Sequence, residues 1–230
     1  MATEIKMIGN AGVRISAPDV CVYVDAFHGK LPGAAASPPP REIAAAALIL
    51  VTHSHWDHFD ARSVAEAARL SGATVVGPRT VIRQLQGEVS PSALHGMEPP
   101  LARGRQTAQS VRAELPGAAV TAYRTFHSPD HNSYLVETAR FRFFHDGDNE
   151  DTRRLDPQAL GRLDALLIGP WQGGGWVEFI EACAPKRYFL IHLDEEELRQ
   201  HDAGEFLPGI CDRIPLGLVV LKPGETFVFD

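Results

Sequence analysis

The stretch Thr-His-Ser-His-Trp-Asp-His-Phe-Asp, residues 52–60, sets three histidines and two aspartates within nine positions, directly behind the apolar run Ala47–Val51. Titratable side chains gathered at the end of a buried strand are costly to crowd together unless a common partner organises them. In a chain that stays extended past Val51, side chains alternate, so His53, His55 and Asp57 point to one side. His58 then requires the backbone to turn. Asp60 is placed to cap a following helix in which Val64, Ala67, Ala68 and Ser71 share a face and which Gly72 closes. A helical His pair four residues apart, the zinc-protease arrangement, is absent. The stretch therefore offers His53 and His55 to one point and Asp57 and His58 to another nearby, which suggests two metal ions.

One loop cannot close either site, because a zinc-type site takes ~four ligands. Three other expected strands each end in a candidate. His127 follows 120–126, Asp148 follows 141–144 through His145, Asp146 and Gly147, and His192 follows 188–191. In layered α/β folds, sites gather at the carboxyl ends of strands. Imidazole and carboxylate donors suit zinc first, with manganese or iron chemically compatible. His28, His95 and His201 read as loop or helix-surface residues outside the site, whereas His131 and His145 lie close enough to the motifs to share it.

Elsewhere the patterning is that of one layered α/β domain spanning 1–230. Short alternating segments at 5–8, 13–16 and 20–25 predict antiparallel strands, and 73–76 a further one. Residues 29–41, rich in Pro, Gly and Ala, and residues 88–110 read as loops. A hairpin is expected over 133–137 and 140–144, then helix at 152–162, strand at 164–168, helix at 176–183 and strand at 186–191. Strands at 217–221 and 226–229 flank the turn Lys222-Pro223-Gly224-Glu225, whose Pro-Gly centre favours type II. The tri-glycine of 170–176 admits two readings, a backbone cradle for an anion at a helix start or a plain connector.

Composition narrows the partners. Lys and Arg total 22 against 29 Asp and Glu, a formal charge of −7, which disfavours a nucleic-acid surface. Three scattered cysteines make neither a disulfide framework nor a thiolate zinc cluster. No run approaches the ~18 apolar residues of a membrane span and no secretory signal is visible, so a cytoplasmic protein acting on a small molecule is expected. Homo-oligomerisation is left open.

These motifs resemble the metallo-β-lactamase superfamily. THSHWDH matches its His-X-His-X-Asp-His signature, and VCVYVDAF, RTFHSPDHNSY, FFHDGDN and YFLIHLDE follow in the family's order. GNAGVRI, VYVDAF, ILVTHSHWDHFD and GATVVGP are most similar to the branch holding ascorbate-phosphate lactonases and uncharacterised metal-dependent hydrolases; a phospholipase D acting on N-acyl phospholipids is a more distant relative. The resemblance implies an αββα sandwich of two mixed β-sheets flanked by helices. It also implies a binuclear site: His53, His55 and His127 around one ion, Asp57, His58 and His192 around the other, and Asp148 between them. Asp25 would orient a ligand imidazole. The sequence departs from the branch at Asn10, where a histidine is common, and at Asn149 after Gly-Asp, with Asp146 a rival to Asp148. Acidic residues 194–197 behind His192 would repel an anionic substrate if they faced the pocket.

The implied reaction is hydrolysis of a small-molecule lactone, ester or phosphodiester by a hydroxide that two ions share. Asp57 is then ligand, proton acceptor or both, and His131 a proton donor. Alternatives are an iron oxidoreductase with the same ligands and a non-catalytic metal-binding or ligand-sensing protein; RNA cleavage is disfavoured by the acidic charge, and β-lactam cleavage because fold does not fix substrate.

Overall fold

A computed structural model describes residues 2–28, 43, 48–104 and 106–230. The expected loop at 29–41 and Ala47 lie outside these. The described strands form two mixed seven-stranded sheets. The first begins as an antiparallel meander, β1 (Thr3–Gly9), β2 (Gly12–Ser16) and β3 (Cys21–Val24). It continues in parallel through β4 (Leu48–Leu50), β5 (Thr74–Gly77) and β6 (Leu94–Gly96). Helices α1 (Ala61–Ser71) and α2 (Arg79–Leu85) make the crossovers. Asp60 caps α1 by accepting from the Ser63 N–H, and Gly72 ends it in the left-handed conformation.

The second sheet starts antiparallel with β7 (Ser110–Leu115), β8 (Ala118–Arg124), β9 (Asn132–Glu137) and β10 (Arg142–His145). It turns parallel through β11 (Ala165–Ile168), β12 (Arg187–Leu190) and β13 (Leu218–Val219). Helices α3 (Pro157–Leu160), α4 (Trp176–Cys183), α5 (Glu195–Asp202) and α6 (Phe206–Ile210) connect this half. The last strand, β14 (Thr226–Phe229), returns to the first sheet beside β1.

Strand alternation builds the four layers. In β4, Leu48 and Leu50 face the other sheet, while Ile49 faces α1 and α2 with Tyr23, Val64, Ala67 and Val81. In β12, Phe189 faces inward, and Tyr188 and Leu190 pack on the α4 side with Phe179 and Ile180. Both faces are covered, so these strands are apolar throughout. The result is the αββα sandwich with helices outside.

The sequence reading differs in places. Residues 88–110 are not all loop, since a 3₁₀ turn at Pro91–Ala93 leads into β6, whose three residues are too few to show a period. The helix expected over 152–162 is a 3₁₀ turn at Thr152–Arg154 and the single turn α3, because Asp156 and Pro157 restart the helix and Gly161 ends it. The Lys222–Glu225 turn forms, with Glu225 N–H donating to the Lys222 carbonyl, but the strands it joins belong to different sheets.

Topology decides where the site lies. β3 and β4 run parallel, as do β10, β11 and β12; β8 runs parallel to β10 through the antiparallel β9. Their carboxyl ends meet at one edge of the sandwich, joined there by the β1–β2 turn.

Candidate metal centre

Asp148 stands at the middle of the cluster. Its Oδ2 lies 3.1 Å from His58 Nε2, 3.5 Å from His192 Nε2, 3.6 Å from His127 Nε2 and 3.9 Å from His53 Nε2. Asp57 Oδ2 lies 3.5 Å from His58 Nε2 and 3.6 Å from His192 Nε2, and His127 Nε2 lies 3.4 Å from His55 Nδ1. Three overlapping donor groups have their atoms within 4.8 Å of one another: His53, His55 and His127; His53, His58 and Asp148; Asp57, His58 and His192. Four donors ~2.0–2.1 Å from a tetrahedral zinc stand ~3.4 Å apart, so the spacing suits an ion.

Two buried atoms make the same point. His53 Nε2 and Asp148 Oδ1 have no hydrogen-bond partner among the described residues. A buried polar atom left unsatisfied costs ~1–3 kcal/mol. An ion between them removes that cost, and the donor set fits divalent zinc, manganese or iron.

Burial alone would raise the Asp148 carboxyl, but hydrogen bonds from His192 and His58 outweigh it and hold it well below the usual carboxylate range. Burial likewise opposes ionisation of Asp57, yet His192 and His58 bring it down to about 2. Burial drives His53 down to about 4, assisted by His58. His58 resists burial because Asp25 and Asp148 raise it to about 10, and the same two-carboxylate logic takes His192 to about 9 through Asp148 and Asp57. An arriving cation would displace the protons on His58 and His192.

A buried carboxylate at the end of β3 orients two of the imidazoles. Asp25 Oδ2 accepts from His58 Nδ1–H at 2.8 Å and from the Thr52 hydroxyl at 2.6 Å; Asp25 Oδ1 accepts from the Thr52 N–H at 2.8 Å. The Thr52 hydroxyl in turn accepts from His53 Nδ1–H at 3.0 Å. Protons are thus fixed on Nδ1 of both rings and Nε2 is left for a ligand. Asn10 sits in the β1–β2 turn, and its amide lies 3.3 Å from both Asp57 Oδ2 and the Asp57 carbonyl. The Asn10 carbonyl accepts from the His192 N–H at 2.9 Å, tying the two sheets together. Asn10, Asp25 and His192 all have positive φ, at 52°, 47° and 62°. Such backbone is uncommon outside glycine and gathers at functional sites.

A profile described as the beta-lactamase superfamily domain matches residues 21–193, well over half of the chain. The chain belongs to this superfamily. A metal-dependent hydrolase of Thermococcus kodakarensis is 26% identical over 96% of this chain and 97% of its own length. Igni18, described as a novel metallo hydrolase from Ignicoccus hospitalis, superposes with a TM-score of 0.63 at 16% identity, over 100% of this chain and 99% of its own. CmlA, a diiron β-hydroxylase from Streptomyces venezuelae, gives 0.66 at 13% identity, over 99% of this chain and 54% of its own. At these identities the two structures share the fold with this superfamily member.

Around the cluster, several expectations are corrected. His131 is no proton donor: it is fully buried, its Nε2 accepts from the Asp148 N–H at 2.9 Å, and its Nδ1–H donates to Thr125 Oγ1 at 2.8 Å. Both ring nitrogens are thus occupied by protein, Nε2 by the turn that presents Asp148, and Gly147 is needed there, since a Cβ would come within 2.6 Å of His131 Nε2 at a φ of +59°. His145 is also structural, donating from Nε2 to the Ala11 carbonyl and accepting the Gly147 N–H at Nδ1. Asp146 does not compete with Asp148; burial pushes it up to about 8, and it accepts from Ser133 and Asn149.

His28 is buried instead of on a surface, while His95 in β6 and His201 in α5 stand outside the donor groups. The acidic run behind His192 is the first turn of α5, where Asp194 and Glu197 form a reciprocal capping box and Glu196 pairs with Arg199. Trp56 is 61% exposed beside the ligands, so it does not pack beneath them, and Trp171 lays its ring 5.2 Å from that of His192. Glu150, which sequence reasoning passed over, accepts from His127 Nδ1–H at 2.8 Å. Nothing in its local sequence marks it.

Proposed function

We propose that the chain is a metal-dependent hydrolase holding two divalent ions, zinc by preference, and cleaving a small-molecule lactone, ester or phosphodiester. The observation that carries this reading is the convergence of four imidazoles on Asp148, with His55 and Asp57 in the adjoining donor groups and His53 Nε2 buried and unsatisfied. His53, His55 and His127 would hold one ion, Asp57, His58 and His192 the other, and Asp148 would bridge them. Bound there, the ions supply Lewis acidity and make water a nucleophile at neutral pH. Asp25 holds the Nδ1 protons of His58 directly and of His53 through Thr52, so Nε2 of each would be the ligand atom. Asp57 Oδ2 stands 3.5 Å from His58 Nε2 and 3.6 Å from His192 Nε2, among the donor atoms of the second group, which favours ligation as its role. Asn10 steadies that carboxylate through its amide. The metal-dependent hydrolase named among the chain's relatives supports the reaction class.

The test is metal analysis of protein purified without chelator, together with turnover of lactone, ester, phosphodiester and β-lactam substrates. Two equivalents of metal and cleavage within the first three classes are expected. Less than one metal per chain under replete conditions would end the two-ion reading. Full turnover by Asp148→Asn would remove the bridging role, and equal activity of a His53→Ala, His55→Ala double variant would exclude metal catalysis.

A further inference from the structure

His53 and His58 owe their orientation to the buried Asp25, whereas His127 projects from the other sheet and needs a separate device. We infer that Glu150 is a positioning residue that fixes His127 as a ligand, and that the glycine-rich loop before α4 holds Glu150 in place. The inference rests on the two-ion reading. With Glu150 Oε1 2.8 Å from His127 Nδ1, the ring proton sits on Nδ1. Nε2 then turns its lone pair toward His55 Nδ1 at 3.4 Å and Asp148 Oδ2 at 3.6 Å. The opposite tautomer would set the Nδ1 lone pair against a carboxylate oxygen and aim an N–H into the place of the cation. Carboxylates that orient ligand histidines govern metal affinity in this way.

The backbone fixes the carboxylate's position. Glu150 N–H donates to the Phe126 carbonyl at 2.8 Å, and Phe126 N–H donates to Asn149 Oδ1 at 3.1 Å, which zips 149–150 to the residue preceding His127. Behind this, Thr152 donates to the Gly174 carbonyl from its N–H at 2.9 Å and its hydroxyl at 2.7 Å. A Cβ on Gly174 would lie 2.7 Å from the Glu150 carbonyl oxygen and 3.1 Å from that of Trp171. Gly174, the middle of the tri-glycine, therefore serves close backbone approach to Glu150. The Glu150 side chain is 48% exposed, so removing its carboxylate leaves the core untouched.

The experiment compares full-length wild type, Glu150→Ala and Glu150→Gln by zinc competition against a chelator. Glu150→Ala is expected to weaken one of the two equivalents by about 10–100-fold. Its other equivalent and the melting temperature of the metal-free protein should stay at wild-type values. Glu150→Gln keeps an accepting oxygen and should recover most of the affinity. Imidazole ¹⁵N NMR of metal-free wild type with neutral rings should find the His127 proton on Nδ1, a preference lost in Glu150→Ala. Wild-type affinity for both equivalents in Glu150→Ala, or a wild-type proton on Nε2, overturns the inference. Wild type that takes up no zinc would instead overturn the two-ion reading on which it rests.

Discussion

Asp25 occupies a single position at the end of β3 and settles the protonation of two imidazoles, one directly and one through Thr52. Asp25→Asn tests this, because asparagine tolerates the positive φ of 47° found there while its single amide oxygen cannot accept all three bonds. Metal affinity should fall about 10–100-fold in chelator competition; unchanged affinity would refute the orienting role. Asp130 is a second residue-scale determinant. It accepts from Thr80 Oγ1 at 2.5 Å, Ser128 Oγ at 2.7 Å and the Ser54 N–H at 3.1 Å, which pins the metal loop to α2. Burial opposes its ionisation, but the bonds from Thr80, Ser128 and Ser54 outweigh it and lower its pKa. A depressed folded pKa gives stability that is present above the unfolded value of ~3.9 and is lost as pH falls toward the folded one. Asp130→Asn should thus cost ~1.5–3 kcal/mol at neutral pH, and denaturant titrations should show the gap closing below pH ~3.9.

At the scale of elements, α1 is specified locally and the 170–176 loop is not. Asp60 and Gly72 bound α1 as its cap residues, and the Val64, Ala67 and Ala68 face packs on β4 and β5. Asp60→Ala should cost ~1 kcal/mol, a fall of ~2–4 °C in melting temperature for a chain of this size. A shift below the error of calorimetry would show that the cap is dispensable. The tri-glycine was readable as a cradle or a connector because flexibility alone does not say what approaches it. Its meaning comes from Glu150, which is distant in sequence. Gly174→Ala should therefore weaken zinc binding in the same equivalent as Glu150→Ala, while leaving the apo fold within ~1–2 kcal/mol of wild type by denaturant titration.

For the whole molecule, the cluster joins loops from both sheets, so ions bound there clamp the sandwich at one edge. Chelation should lower the melting temperature and added zinc should restore it; zinc at ~100 times its Kd contributes ~2.7 kcal/mol. A melting temperature indifferent to chelator and zinc alike would contradict such a clamp. Among the described residues, no helix is long and apolar enough to cross a membrane.

The donor cluster was legible because its members follow apolar strands within a few residues, and adjacency along the chain survives folding. His53, His55, Asp57, His58, His127, Asp148 and His192 could be named from that rule, and the cap at Asp60 from local hydrogen bonding alone. His131 could not be judged, since spacing places it near His127 without saying that both its nitrogens face protein. Glu150 and Thr52 were equally hidden, as their roles depend on partners across the sheets or through another side chain. The sequence determined which elements form and which residues end them, because alternation and capping act over a few residues. Tertiary structure alone decided which of those residues meet in the donor cluster and which hold them in place, because hydrogen-bond direction and burial are set by segments brought together only by the fold.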